Sequence, residues 1–286
     1  MDPSGNLIVS LGSSLRKYTS AGTLVGGWSV GGFNQAYGIA VASNGTIYVT
    51  DTSGKKVYKV KPDGSGKSVH SNDAKLTYPA GIALDASENM FIANPSGDFI
   101  YKIATGSAVA QEIAFNQGDP WGACVVGTTL YVSQWGRLSK FNTATGAEES
   151  TPLWDWETPN AVFADPTGNL WVGGSWDLYR VRPGGRSIDF FTIGDGQEGP
   201  RGIARDGAGF IYVADRGGSI AKYDPTRAQA PSWLHLGDEG EFAGLCLDSS
   251  GTALLLSYKD SHQVKRVALS DAKFSPTPFW PYNPIF

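Results

Sequence analysis

The sequence predicts an all-β fold, a seven-bladed β-propeller of four-stranded antiparallel blades spanning residues 1–286 as one domain. Three observations carry this expectation. A strand-like apolar triplet recurs seven times, a second strand motif precedes most copies, and hairpin turn residues lie between the two.

The triplet reads Leu7-Ile8-Val9, Ile47-Tyr48-Val49, Met90-Phe91-Ile92, Leu130-Tyr131-Val132, Leu170-Trp171-Val172, Ile211-Tyr212-Val213 and Leu254-Leu255-Leu256. Successive centres are 40, 43, 40, 40, 41 and 43 residues apart, which is the period of a propeller blade. The preceding motif reads Gly38-Ile39-Ala40-Val41, Gly81-Ile82-Ala83-Leu84, Gly122-Ala123-Cys124-Val125, Ala161-Val162-Phe163-Ala164, Gly202-Ile203-Ala204-Arg205 and Gly244-Leu245-Cys246-Leu247. Between them lie Asp2-Pro3-Ser4-Gly5-Asn6, Ser43-Asn44-Gly45 and Asp165-Pro166-Thr167-Gly168-Asn169, all tight-turn chemistry. A third strand follows, as in Lys56–Val60, and a more variable fourth, as in Ser187–Phe191. Four strands per repeat make one blade. The first copy lacks its Gly-Ile-Ala-Val strand. Asn283-Pro284-Ile285-Phe286 stand in that register, so the C-terminal strand is expected to close the ring and cover two sheet edges.

Composition agrees. Hydrophobic residues make up 41%, charged residues only 17%, and there are 37 glycines, as suits β-structure rich in turns. The net charge is −4 and Lys and Arg are scattered, so no basic stripe marks a nucleic-acid binder. No apolar run reaches the roughly 20 residues of a membrane helix, and residues 1–5 do not read as a signal peptide. A monomer with a small-molecule partner is expected. Cys124 and Cys246 sit three repeats apart and read as small core residues.

Strand order assigns loops to faces. In a meander of strands a to d, the d–a and b–c loops share one side. Those loops carry Trp121, Trp135, Trp154, Trp156 and Trp176, five of nine tryptophans within 56 residues. Aromatics grouped on a surface mark binding of a ring, a sugar or a protein. Polar residues converge on the same mouth. Asn160 and Arg201 lead into first strands, Asp51, Gln134, Asp215 and Arg216 end second strands, and Tyr258 ends the last. Arg201 is expected to be buried, with Asp215 or a ligand carboxylate as its partner. Asp51 and Asp215 also fit a structural role as caps of loop amides. His262 with Asp260 could form an acid–base pair, and a solvated loop histidine is the alternative.

The Pro-x-Gly-Ile lead-in (Pro79-Ala80-Gly81-Ile82, Pro200-Arg201-Gly202-Ile203), the Tyr-Val strand and the period resemble NHL-type repeats. Along the whole chain they resemble the streptogramin B lyase group of seven-bladed propellers. That resemblance implies lyase chemistry from histidines ahead of two late Gly-Ile strands, with a glutamate and magnesium. The matching positions hold Arg201 and Ala243, and the last blade's loop, Ser257-Tyr258-Lys259-Asp260, has no glutamate. The gluconolactonase-like hydrolases place Glu, Asn and Asp at this mouth, and only Asn160 matches. No metal and no cofactor are expected. The residues read as a small-molecule site. Arg201, Asn160, Asp215 and Tyr258 are its catalytic candidates, for a metal-independent lyase, cyclase or isomerase acting on an aromatic or polycyclic substrate. Trp121, Gln134, Trp135, Trp154, Trp156, Trp176, Asp51 and Arg216 are its ligand-binding candidates. The alternative is a non-catalytic scaffold for protein or carbohydrate.

Overall fold

The structure is a computed structural model that describes residues 1–114, 118–149, 161–174, 177–182, 188–192 (backbone), 199–215, 217–236, 242–258 and 263–276. It is all-β, with antiparallel sheets and no helix among the described residues. Two compact units are distinguished, Met1–Pro159 and Asn160–Phe286.

The first unit opens with β1 (Leu7–Ser10), β2 (Gly12–Tyr18), β3 (Leu24–Val41), β4 (Ile47–Asp51), β5 (Lys56–Val60) and β6 (Ser68–Ser71) in one six-stranded sheet. Next come β7 (Ile82–Leu84), β8 (Met90–Asn94), β9 (Phe99–Ile103) and β10 (Gln111–Ala114), then β11 (Gly122–Val126), β12 (Thr129–Gln134) and β13 (Arg137–Asn142). The second unit holds β14 (Ala161–Ala164), β15 (Leu170–Gly173), β16 (Asp177–Val181) and β17 (Ile188–Thr192). It continues with β18 (Pro200–Arg205), β19 (Ile211–Asp215), β20 (Ser219–Tyr223) and β21 (Ser232–His235), and ends with β22 (Phe242–Leu247), β23 (Ala253–Tyr258) and β24 (Val264–Ala268).

All seven copies of the triplet fall on strands, β1, β4, β8, β12, β15, β19 and β23. Grouping differs from four strands per repeat in two ways. The first two copies share one sheet because β3 is continuous for 18 residues, pairing with β2 and then with β4. Where other repeats carry Pro79, Pro120 and Pro200 two residues before the lead-in glycine, this one carries Ala36. Alanine keeps the amide that proline lacks, so pairing runs on. Among the described residues two sheets have three strands. In one, Phe141 also forms a bridge with Glu148. In the other, Ser275 pairs with Trp233 of β21 through two 2.8 Å hydrogen bonds. The closing segment, residues 283–286, lies outside the described residues.

The core lies between consecutive sheets. Phe91, Ala93 and Ile100 pack on Leu130, Val132 and Phe141, and Trp171 and Leu178 on Ile203, Ile211 and Val213. Each such fully buried side chain contributes roughly 1.5–3 kcal/mol. A repeated cation joins neighbouring repeats. Lys17, Lys102 and Arg180 lie on third strands directly opposite Ile8, Phe91 and Trp171. Their heads reach the carbonyls of Pro62, Thr143 and Pro225, one repeat on, at 2.8–3.0 Å. Lys102 and Arg180 also sit 5.5 and 5.4 Å from the rings of Phe91 and Trp171, in cation–π range.

Aspartates lock the turns between first and second strands. Asp2 accepts the Ser4 and Asn6 amides at 3.0 and 2.8 Å and pairs with Lys17 at 2.8 Å. Asp165 and Asp248 do the same work for Thr167, Asn169, Thr252 and Ala253. Burial alone would raise these carboxyls, but hydrogen bonds outweigh it. Those from Lys17 and Asn6 hold Asp2 down to about 2. Those from Thr167, Trp171 and Asn169 lower Asp165, and those from Thr252, Ser250, Ala253 and Arg266 lower Asp248. A depressed folded pKa gives stability above the ordinary value, lost as the pH falls through the folded one. Stability is therefore expected to hold above about pH 4 and to fall towards pH 2, from an ordinary value of 3.8. Asp2→Asn is expected to flatten that fall, as read by urea unfolding at stepped pH. Cys124 and Cys246 are half-buried, and burial pushes the Cys246 thiol up to about 11.

Candidate functional site

The lead-in glycines set the geometry of the candidate site. Gly81 donates to the Trp121 carbonyl of the next repeat at 2.8 Å. A Cβ on Gly81 would strike that oxygen and come within 2.9 Å of Ala123 N and Gly122 Cα. Glycine is what lets adjacent first strands approach this closely. Gly38 stands likewise, with Ala80 O and Thr50 Oγ1 where its Cβ would be. Thr50 donates to Ala80 O at 2.6 Å, and Thr52 donates to Pro79 O at 2.9 Å. One residue before each glycine stands one lead-in side chain, so successive lead-in residues are neighbours.

In the first unit those residues are Tyr37, Ala80 and Trp121. Ala80 is fully buried and small, while Tyr37 and Trp121 are 47% and 39% exposed. The rings of Tyr37 and Trp121 meet at 5.8 Å, although two repeats separate them in sequence. Tyr78 closes the group from the third side, edge-on to Trp121 at 5.9 Å. These separations and tilts are those of favourable aromatic pairs. Trp121 is held by its amide on Ser133 O at 2.9 Å and its carbonyl on Gly81. Trp135 is 75% exposed, and its amide is bound to Gly118 O at 2.9 Å.

Trp121 and Trp135 are both exposed, and their amides bind Ser133 O and Gly118 O in neighbouring segments of the first unit. Tyr37 and Tyr78 were missed as members of the aromatic group. Their signal was present, since Tyr37 occupies the same register as Trp121. Trp154, Trp156, Trp176, Asn160, Arg216, Lys259, Asp260 and His262 lie outside the described residues.

The polar candidates turn inward to the scaffold. Asp51 is buried, and its carboxylate accepts the amides of Gln35, Asn34 and Gly54 at 2.8, 2.9 and 2.9 Å. Asn94 holds the same place in the next repeat, accepting Tyr78 N at 2.8 Å and donating to Ser96 O at 2.7 Å. Gln134 is buried and accepts from Arg137 Nε at 2.8 Å. In the second unit Asp215 is buried and accepts Ser219 N at 2.8 Å, the capping role again. Tyr258 is buried against Phe242, ring to ring at 5.1 Å. Arg201 corrects an expectation. It is exposed rather than buried, and no ion pair reaches it among the described residues. The pairing of β18 with β19 shifts register between Pro200 and Gly202, at Arg201 itself. A bulge of this kind re-aims the side chain.

No family model matches the chain, nor does any curated protein sequence. Solved structures do. A streptogramin B lyase aligns with a TM-score of 0.77 over 96% of this chain and 91% of its own, at 16% identity. Hydrazine synthase of Kuenenia stuttgartiensis aligns at 0.72 over 94% of each chain, with 16% identity. The extracellular domain of a hybrid two-component system from B. thetaiotaomicron aligns at 0.70 over 93% of this chain and 37% of its own, with 12% identity. The chain therefore has the fold of streptogramin B lyase-like propellers, a fold that these neighbours put to different uses.

Proposed function

We propose that the chain is one seven-bladed propeller, closed by its C-terminal segment, that binds a small molecule on the aromatic face of Tyr37, Tyr78 and Trp121. Seven copies of the triplet support the blade count, and the 96% alignment onto a streptogramin B lyase supports a propeller along the whole length. One observation carries the function. Tyr37 and Trp121 touch each other, yet both keep more than a third of their surface exposed. Rings from three repeats are thereby fixed in place without being covered, and a fixed aromatic surface loses little entropy when a ligand lies on it. Catalysis has less support, because Asp215 and Tyr258 are buried in the scaffold.

The test is a fluorescence titration against planar aromatic compounds and oligosaccharides. A saturable change is expected with a ring-bearing compound. Trp121→Ala is expected to weaken it at least tenfold, which is about 1.4 kcal/mol. Binding that survives Trp121→Ala unchanged contradicts the proposal. A metal-independent lyase, cyclase or isomerase is the second reading. Arg201 is its remaining described candidate, since its side chain is exposed where Asp215 and Tyr258 are buried. Mass spectrometry of the bound compound after incubation separates binding from turnover.

A further inference from the structure

Two carboxylates lie close along the chain to Trp121 or are bonded to its segment. Asp119 precedes Trp121 by two residues and is exposed, and its amide donates to Asp98 Oδ1 at 2.8 Å. The next residue back, Gly118, accepts the Trp135 amide. One short segment therefore ties Asp98, Asp119, Trp121 and Trp135 together. The cations of the neighbouring loops are engaged elsewhere. Lys75 donates to Ala110 O at 2.9 Å, and Arg137 donates to Gln134 and lies 3.8 Å from Glu148. Lys55 is exposed in the β4–β5 loop, in the same repeat as Tyr37 and one repeat before Asp98.

We infer that the ligand of this face is an organic cation, an alkylated or quaternary ammonium group seated against the rings of Trp121, Tyr37 and Tyr78. This rests on the aromatic-face reading and deepens it. The π-faces attract a cation, and more strongly so when it is desolvated. Two carboxylates tied to the Trp121 segment add a favourable field that neutral and anionic ligands lack. An ammonium with methyl groups matches both features, being charged at long range and apolar at contact.

The probes are choline and 3,3-dimethylbutan-1-ol, which share shape and differ in charge, with coumarin as a neutral planar compound. Tryptophan fluorescence and isothermal calorimetry read binding to the full chain. Choline is expected to bind at least tenfold tighter than the alcohol, and less tightly as salt is raised. Trp121→Ala is expected to abolish choline binding. Asp119→Asn and Asp98→Asn are each expected to weaken it about threefold. Asparagine keeps the acceptor at position 98 and suits the left-handed backbone there, φ 61°. Lys55→Ala is expected to leave choline binding unchanged or raise it. Equal binding of alcohol and choline overturns the cation and leaves the aromatic face. Coumarin binding through Trp121 without choline binding does the same. If no probe binds, the cation inference fails. If the wider titration also finds no ligand, the aromatic-face reading fails with it.

Discussion

Gly202→Ala lowers the stability of the chain by about 3 kcal/mol or more, the upper range for forcing atoms into a packed site. A Cβ at Gly202 would collide with Leu245 N and stand 2.6 Å from Leu245 Cβ and 3.0 Å from Gly244 C. These are mainly backbone atoms of the neighbouring first strand, β22, and no rotamer change can move them. The two strands must separate, and the contacts of Ile203 and its neighbours loosen with them. Gly244→Ala is the control. Its Cβ would meet only Ser257 Oγ, at 3.3 Å, the end of a movable side chain. A cost below about 1 kcal/mol is expected there. Chemical denaturation of the two variants separates a close-approach glycine from a merely repeated one. Equal losses would contradict the packing argument.

Asp51→Ala is the second large effect, with a loss of about 2–4 kcal/mol. Three amides, those of Gln35, Asn34 and Gly54, lose their acceptor at once. Gln35 and Gly54 are half-buried and Asn34 is exposed, and a donor left without a partner costs about 1–3 kcal/mol where water cannot replace the carboxylate. Asp51→Asn is expected to lose roughly half as much, since one oxygen remains while the new amide faces a donor. The stretch of β3 that Asp51 holds carries Asn34 and Gln35, the latter two residues before Tyr37. The variant should therefore also weaken any ligand held by Tyr37. Thermal unfolding with and without ligand reads both effects. A neutral Asp51→Ala would mean that the carboxylate does not organise that stretch.

Much of the fold was legible because β-strands write their burial directly into sequence. Most of the triplets, β1 excepted, fall on strands whose side chains are almost wholly buried, so each reads as an unbroken apolar run. Turn aspartates were legible as hairpin chemistry, though not as the buried carboxylates they are. The fusion of two repeats through β3 was not foreseen. Ala36 stands where several other repeats carry proline, and no positive signal marks an absence. The cations of the third strands were equally hidden. Lys102 and Arg180 read as ordinary exposed residues until register puts them opposite Phe91 and Trp171. The exposure of Trp121 and Trp135 was legible from their position in loops. Arg201 was misread because alternation fails at a bulge. For Asp51 and Asp215 the capping role was legible as one of two readings, and the hydrogen bonds show the capping, whereas the bond from Arg137 to Gln134 had no sequence signal.

The most direct test of the aromatic face is the indole region of the ¹H–¹⁵N spectrum during a choline or coumarin titration. Indole signals are assigned by single tryptophan replacement. The Trp121 resonance is expected to shift saturably, with a smaller change at Trp135. Trp28 and Trp171, buried at 7% and 1% exposure, should stay in place. Saturable binding that leaves Trp121 unmoved would place the ligand elsewhere and contradict the account.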